Sequence, residues 1–375
     1  MSVLQRRSLL GLLAASVLVR PAFAAPRIFV DSAGRSVVLP DRPMRILAAG
    51  PPASILIYVM APDAMIGWVP PPGDDAKPFL LPQARDLPGS GRLTMRGQEP
   101  DIDHITKLKP DLILDFGSIG PQYVTLAEKI KTATQIPYAL VDGHLDKLPK
   151  GLRLVGDMLG RAERAEPLAA YAEQSLAKLD AALAKTPADK RPRFFLARGP
   201  DGRQSAVKGS GLTEVLERAG GINVAEGPAQ RGGAIDVPFD KIAAGKPNVI
   251  VAFDKGAADA VRNDAGWKKI TAGKRVLIAP TLPWGWLGEP PSVNQLLGVR
   301  WLTSAFYPAE GKLDLAAEAR DFHRLFYGVT PTDAQLAALI EARARRVLLP
   351  SSGAVSSPHR CRRRQHRRPR RPRAG

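Results

Sequence analysis

Two stretches of the chain repeat the same order of polar and apolar positions. Residues 105–116 and 242–253 each start with helix-like spacing, pass through a proline and continue as a mainly apolar run, in which Asp115 is the polar position. Identical residues occupy five aligned positions: Ile105/Ile242, Lys109/Lys246, Pro110/Pro247, Ile113/Ile250 and Phe116/Phe253. Because the residue before a proline disfavours the α conformation, each copy predicts a short helix that ends there. The apolar run that follows predicts a buried parallel strand.

A second, shorter similarity joins Leu47–Pro51 to Leu196–Pro200. Each of these segments precedes one copy of the longer repeat, so the two similarities occur in the same order along the chain. Further strands are predicted at residues 65–68, 138–141, 193–197 and 275–279, with helical patterns between them. Strands that alternate with helices favour parallel sheets covered by helices. The fold class predicted is therefore α/β, with two Rossmann-like lobes that repeat one another.

A long amphipathic helix is predicted between the two copies. Its apolar positions recur every three or four residues at Leu168, Ala172, Leu176, Leu179 and Leu183. We expect a first lobe at 26–161, a linker helix at 162–187 and a second lobe at 188–348. A surface helix within one domain would show the same period, but its place between the repeats favours a stiff spacer.

Both ends of the chain differ in composition from its body. Residues 1–25 carry Arg6-Arg7, an apolar run over 9–19 and a small-residue site at 22–24, which predict a signal peptide of the twin-arginine type. Eleven apolar residues rise only about 16 Å as a helix, too short for a bilayer core of about 30 Å. We therefore expect a periplasmic protein, and the sequence leaves open whether it is free or lipid-anchored.

The basic charge is concentrated at the ends. The chain carries 54 Lys+Arg against 36 Asp+Glu, a net charge of +18, but residues 26–350 account for only +6 of it. Residues 349–375 form an Arg-rich tail that we expect to be disordered, with polyanion binding as the alternative. We expect no nucleic-acid partner for the lobes. The single cysteine, Cys361, lies in this tail and excludes an internal disulfide and a cysteine metal cluster.

Catalytic motifs are missing from the sequence. It contains no nucleophile elbow, Walker loop, dinucleotide-binding turn or H-E-x-x-H helix. His104, His144 and His323 lack helical ligand spacing. We therefore expect no enzyme and no resident metal or cofactor.

Candidate ligand contacts come from the loops that follow the strands, where parallel sheets bind ligands. These loops are rich in aromatic rings, which could cover an apolar rim, and in arginines, whose forks suit anionic oxygens. The predicted ligand-binding residues are Trp68, Arg96, Ser118, Tyr123, Arg198, Arg231, Trp284 and Trp286. The competing interpretation is that the tryptophans pack in the core and that each arginine is solvated.

Several short segments of the sequence together resemble those of a known family. They are residues 31–40 and 43–47, Lys109–Ile113, Gly220–Val224 and Pro290–Leu302 followed by Tyr307-Pro308. In order and spacing they resemble the substrate-binding proteins of ABC importers for siderophores and cobalamin, whose lobes are joined by one helix.

The resemblance implies capture of a ferric-siderophore or similar metal chelate between the lobes and delivery to a membrane permease. Iron would enter only within the chelate, and the protein would act as a monomer. In this family one glutamate on each lobe docks on the permease; Glu214 matches the second-lobe position, whereas Ile55 stands at the first. Cobalamin, haem or an oxyanion as cargo, and a two-lobed α/β enzyme, remain the alternatives.

Overall fold

The computed structural model describes residues 27–93, 99–228, 233–310 and 313–341. The signal segment 1–25, the tail 349–375, and Arg96 and Arg231 lie outside the described residues.

The first lobe is a parallel sheet with helices on its faces. Its strands are β1 (Arg27–Val30), β2 (Ser36–Leu39), β3 (Ile46–Ala48), β4 (Leu112–Gly117) and β5 (Tyr138–Asp142). Its helices are α1 (Pro51–Met60), α2 (Pro82–Arg85), α3 (Ile102–Leu108), α4 (Pro121–Thr134) and α5 (Leu148–Met158). The sheet order is β3-β4-β5, and β1 and β2 form a separate antiparallel hairpin. The Asp31 carboxylate fixes that hairpin to the sheet by accepting from the Leu140 N–H at 3.1 Å.

The spacer helix, α6 (Ala162–Ala184), lies where the period predicts it. Its buried face includes Leu168, Ala172, Leu176 and Leu179. These side chains pack in one apolar cluster with residues of α1 and α5.

The second lobe repeats the parallel architecture. Its strands are β6 (Arg193–Ala197), β7 (Gln204–Ala206), β8 (Ile222–Asn223), β9 (Ala234–Asp236), β10 (Val249–Ala252) and β11 (Arg275–Ile278). Its helices are α7 (Glu214–Arg218), α8 (Phe239–Ala244), α9 (Lys255–Asn263), α10 (Ala265–Thr271) and α11 (Gln295–Phe306), followed by α12 (Leu315–Phe322) and α13 (Asp333–Glu341). The main sheet has the order β11-β10-β6-β8, and β7 pairs with β9. The expected fold of two parallel α/β lobes joined by a long helix is confirmed.

The sequence repeat is a repeat of backbone geometry. Lys109 and Lys246 both adopt the left-handed conformation, each with φ of 49°, just before their prolines. These residues terminate the α3 and α8 segments and lead into β4 and β10. The left-handed conformation is energetically unfavourable for residues other than glycine. Its recurrence at matching positions therefore marks the two segments as structurally equivalent.

Two expectations about the fold need correction. Residues 65–68 form only isolated bridges, Ile46 to Met65 and Trp68 to Gly89, because the prolines at 70–72 that follow cannot donate to a strand ladder. The end of the second lobe also returns to the first, since the Tyr58 hydroxyl donates to the Tyr327 carbonyl at 2.6 Å. Among the described residues, part of the second lobe, including α11 and α12, therefore shares an apolar cluster with the first lobe, whereas Phe195, Ile250 and Trp267 lie in a separate second-lobe cluster.

Across the described residues, every helix is too short or too polar to cross a bilayer.

Candidate functional site

The carboxyl ends of the two sheets face each other. Ser292, in the loop after β11, donates from its hydroxyl to the Pro52 carbonyl after β3 at 3.1 Å. Glu214, at the start of α7, accepts from the Leu145 N–H after β5 at 2.9 Å. We call these two contacts the edge bridges, because β3 and β5 are the edges of the first sheet while β11 and β8, into which α7 leads, are the edges of the second. Between the bridges lie the ends of the central strands β4, β6 and β10.

Arg198 follows β6 and contributes a cation to this central region. Its guanidinium lies over the Phe253 ring, 4.9 Å from the centroid, and its side chain is 18% exposed. The nearest carboxylate oxygen, on Glu289, is 3.8 Å away, too far for a good hydrogen bond. Among the described residues, the buried Arg198 Nε has no hydrogen-bond acceptor. Arg198 therefore retains donor capacity for an anionic ligand.

Asp254, which follows β10, is already occupied. Its two carboxylate oxygens accept from the Ala257 N–H and the Gly199 N–H, each at 2.8 Å. The first contact caps α9 and the second holds the loop beside Arg198. Asp254 thus shapes the second-lobe wall and leaves Arg198 without a tight partner.

The first-lobe wall is made of main chain and small residues. β4 ends at Gly117, whose φ of 146° favours glycine, and a side chain on Gly143 would come within 2.7 Å of the Gly117 Cα. Ser118 is exposed just beyond, and its Oγ accepts weakly from the Gly120 N–H at 3.3 Å. Tyr123 is half-buried and packs against the first-lobe core under α4. Ser118 therefore lies exposed at the carboxyl end of β4, whereas Tyr123 packs onto the first-lobe core.

The three tryptophans do not form an open stacking platform. Trp68 and Trp286 are 1% exposed and Trp284 is 9% exposed. Trp284 packs against Tyr58, Trp68 and Tyr327 at centroid distances of 5.8, 5.7 and 5.0 Å. Trp286 packs against Trp301. The expectation of exposed rings is thus corrected: aromatic partners from other segments cover them, and burial of such large apolar surfaces favours that arrangement.

Glu214 and Ile55, the positions that the resemblance links to permease docking, are both engaged inside the molecule. Ile55 is 1% exposed within α1. Beside Glu214, Arg218 bridges Asp146 of the first lobe and Asp180 of α6, both at 2.7 Å. The docking role of Glu214 stays a prediction.

Sequence reasoning missed Glu289, which sits beside Arg198 in the loop between β11 and α11. Burial raises the pKa of its carboxyl group, Arg198 opposes this shift and Asp254 adds to it. A single acid followed by Pro290-Pro291, in a loop with two tryptophans, carries no residue pattern that marks it as a ligand contact.

A separate groove of about 450 Å³ lies beside α6, away from the strand ends. Its central acid, Glu318, is saturated by Arg300 at 2.6 Å and by the Tyr171 hydroxyl at 2.6 Å. This cluster ties α6, α11 and α12 together, and we assign it to the stability of the fold.

Metal ligation has no support in the described part of the chain, where groups of three or more potential His, Cys, Asp or Glu ligands do not occur. The opening therefore offers a guanidinium, a hydroxyl and backbone groups, a combination that suits oxygen atoms of an anion.

Comparison with known proteins agrees with this architecture. A profile of the periplasmic binding protein family matches residues 73–278. The molybdate-binding protein MolA of Haemophilus influenzae is 27% identical over 348 residues, covering 84% of this chain and 96% of MolA. An ABC transporter solute-binding protein from Sulfurospirillum deleyianum is 27% identical with a TM-score of 0.76, covering 84% of this chain and 99% of that one. The structure of MolA bound to molybdate has a TM-score of 0.63 at 22% identity, over 82% of this chain and 99% of that one.

Two lobes on a spacer helix, with a ligand opening between the strand ends, define a solute-binding protein. The chain belongs to the periplasmic binding protein family, and it serves an ABC importer as its substrate-binding component. The resemblance drawn from the sequence is confirmed, as is the expectation that the protein is not an enzyme, because these relatives bind solutes.

Proposed function

We propose that the cargo is a small tetrahedral oxyanion of the molybdate type, held between Arg198 and the loop of Gly117 and Ser118. The observation that carries this proposal is the guanidinium of Arg198, which is stacked, largely buried and without a tight carboxylate partner. Such a fork suits anionic oxygens and is weakly hydrated, so it can be desolvated by a ligand at moderate cost.

The wall opposite Arg198 also supports a compact cargo. Gly117 and Gly143 pack backbone against backbone, and Ser118 adds a hydroxyl. Hydroxyls and main-chain N–H groups are donors that complement a tetrahedral oxyanion. The relationship to MolA, named for molybdate binding, points in the same direction.

A ferric-siderophore or similar chelate is the competing cargo. A large chelate with an apolar rim would need accessible rings, and the rings of Trp68, Trp284 and Trp286 are buried. Cobalamin needs a similarly broad surface. Haem needs an axial His or Tyr near the opening; the His104 ring instead contacts the Ser90 carbonyl at 3.0 Å, and Tyr123 packs onto the first-lobe core.

The proposal is tested by calorimetric titration of the exported protein with molybdate, tungstate, sulfate, a ferric hydroxamate chelate, cobalamin and haem. Saturable binding of molybdate or tungstate with one site per chain is expected. The substitution Arg198→Ala should weaken that binding about 10- to 100-fold, since hydrogen bonds to charged groups contribute about 1.5–3 kcal/mol.

Lys190→Ala is the matched control. Lys190 is a 73% exposed cation of the same lobe. It precedes β6, whereas Arg198 follows it, so the two residues lie at opposite ends of that strand. Its removal changes the net charge equally but should leave affinity unchanged. Binding of the ferric chelate without oxyanion binding, or equal effects of the two substitutions, would refute the proposal.

We further propose that the chain reaches the periplasm through the twin-arginine route and carries no resident cofactor. The paired Arg6 and Arg7 before an apolar run support this route. Replacing both by lysine should retain the precursor in the cytoplasm, whereas unchanged export would assign the signal to the general secretory route.

A further inference from the structure

Glu289 is held in a defined place next to the cargo arginine. Its backbone pairs with Gly285, whose N–H donates to the Glu289 carbonyl at 3.1 Å. The side-chain amide of Asn294, a residue only 1% exposed, donates to the carbonyl of Pro290 at 3.0 Å. These contacts anchor the loop backbone, from which the Glu289 carboxylate reaches to 3.8 Å from an Nη of Arg198.

The charges that act on Glu289 are Arg198 and Asp254. Asp254 keeps both oxygens on backbone N–H groups, so it cannot turn away from the site. A dianion bound at Arg198 would add negative charge beside Glu289, which already faces Arg198 at 3.8 Å and feels the charge of Asp254. Like charges at this distance repel, and a carboxyl group among them favours its neutral form.

We propose that Glu289 takes up a proton from solvent when the oxyanion binds, and that its new O–H group donates a hydrogen bond to an oxygen of the cargo. This inference rests on the proposed oxyanion function. It makes Glu289 a specificity-determining residue, because only a cargo that carries negative charge and an acceptor oxygen at that point would gain this hydrogen bond. The half-exposed position of Glu289, with 56% of its side chain open, gives water access to deliver the proton.

The sign of the pH dependence follows from linkage. The bound dianion raises the pKa of Glu289 above its value in the free protein, where burial already raises it. Between these two pKa values, binding takes up a proton, so affinity falls as pH rises. The limit for one proton is a tenfold loss of affinity per pH unit.

The experiment is titration of the full exported chain with micromolar molybdate from pH 5 to pH 8, each point in two buffers of different ionisation enthalpy. The wild type should lose affinity with rising pH, and the buffer difference should report net proton uptake, at most one per molybdate. Glu289→Gln should bind at least as tightly as the wild type at pH 8, with a flat profile and no proton uptake.

Asp189→Asn is the matched control. Asp189 is a 72% exposed carboxylate that precedes β6, at the end of that strand away from Arg198. Its removal should leave the dependence of affinity on pH as in the wild type. Circular dichroism of each variant checks that it is folded. Molybdate binding with the same slope in wild type and Glu289→Gln, or without proton uptake, overturns the inference alone. Absence of oxyanion binding at every pH refutes the proposed function as well.

Discussion

Trp284 joins three separate segments of the chain, and its removal tests whether it is a structural anchor or a ligand contact. Its ring meets Tyr58 and Trp68 of the first lobe and Tyr327 of the C-terminal segment. Truncation of a buried aromatic residue to alanine costs about 3–5 kcal/mol. Each aromatic pair adds about 0.5–1.5 kcal/mol beyond area burial. Trp284→Ala should therefore lower the free energy of unfolding by about 4 kcal/mol.

The assay is urea unfolding followed by far-UV circular dichroism, with molybdate affinity measured separately on the folded variant at low temperature. Affinity should change less than about threefold, because Trp284 lies outside the wall formed by Arg198 and Ser118. Trp284→Phe keeps one ring in the cluster and should lose less than half of the stability that the alanine variant loses.

One result would refute this reasoning. If Trp284→Ala unfolds within about 1 kcal/mol of the wild type yet binds cargo tenfold more weakly, the ring belongs to the ligand surface. The sequence-based expectation of a stacking platform would then be restored.

Three further changes test the packing and the electrostatics. Glu318→Gln should cost about 3 kcal/mol at pH 7 in urea unfolding, because it breaks the buried pair with Arg300. Burial opposes ionisation of Glu318, but hydrogen bonds from Arg300 and Tyr171 lower its pKa overall, so the difference from wild type should vanish as pH falls well below 4. Burial raises the pKa of Asp115 to about 6, so wild-type stability should fall as pH rises from 4 to 6; Asp115→Asn should remove that slope and gain about 2 kcal/mol at pH 8. Gly298→Ala places a methyl group on the Trp286 carbonyl, so a net loss of about 2 kcal/mol is expected despite the helix-propensity gain of about 1 kcal/mol, and a stabilised variant would contradict the packing.

The two-lobed fold could be predicted because local chemistry repeats in the sequence. Proline after Lys109 and after Lys246 breaks each helix at the same point, and the short apolar run that follows predicts a buried strand. Arg198 was found by the same logic, since residues after parallel strands line the ligand opening.

The fate of the aromatic loop could not be predicted, since it depends on partners far away in sequence. Whether Trp284 faces solvent or core is decided by Tyr58 and Tyr327, which approach it only after the C-terminal segment has returned to the first lobe. Glu289 could not be predicted as a site residue for another reason. Its role depends on its distance to Arg198, which no pattern of residue types in the sequence indicates.

The two lobes contribute different kinds of groups to the edge bridges. In both, the first lobe contributes only main-chain atoms, the Pro52 carbonyl and the Leu145 N–H, while Ser292 and Glu214 act through side chains. Substitution of the first-lobe partners cannot delete their hydrogen-bonding groups, apart from a proline at 145. Substitutions that change how readily the protein opens are thus confined to the second lobe, which also carries Arg198. Cargo affinity and the rate of cargo release would therefore evolve within the same lobe.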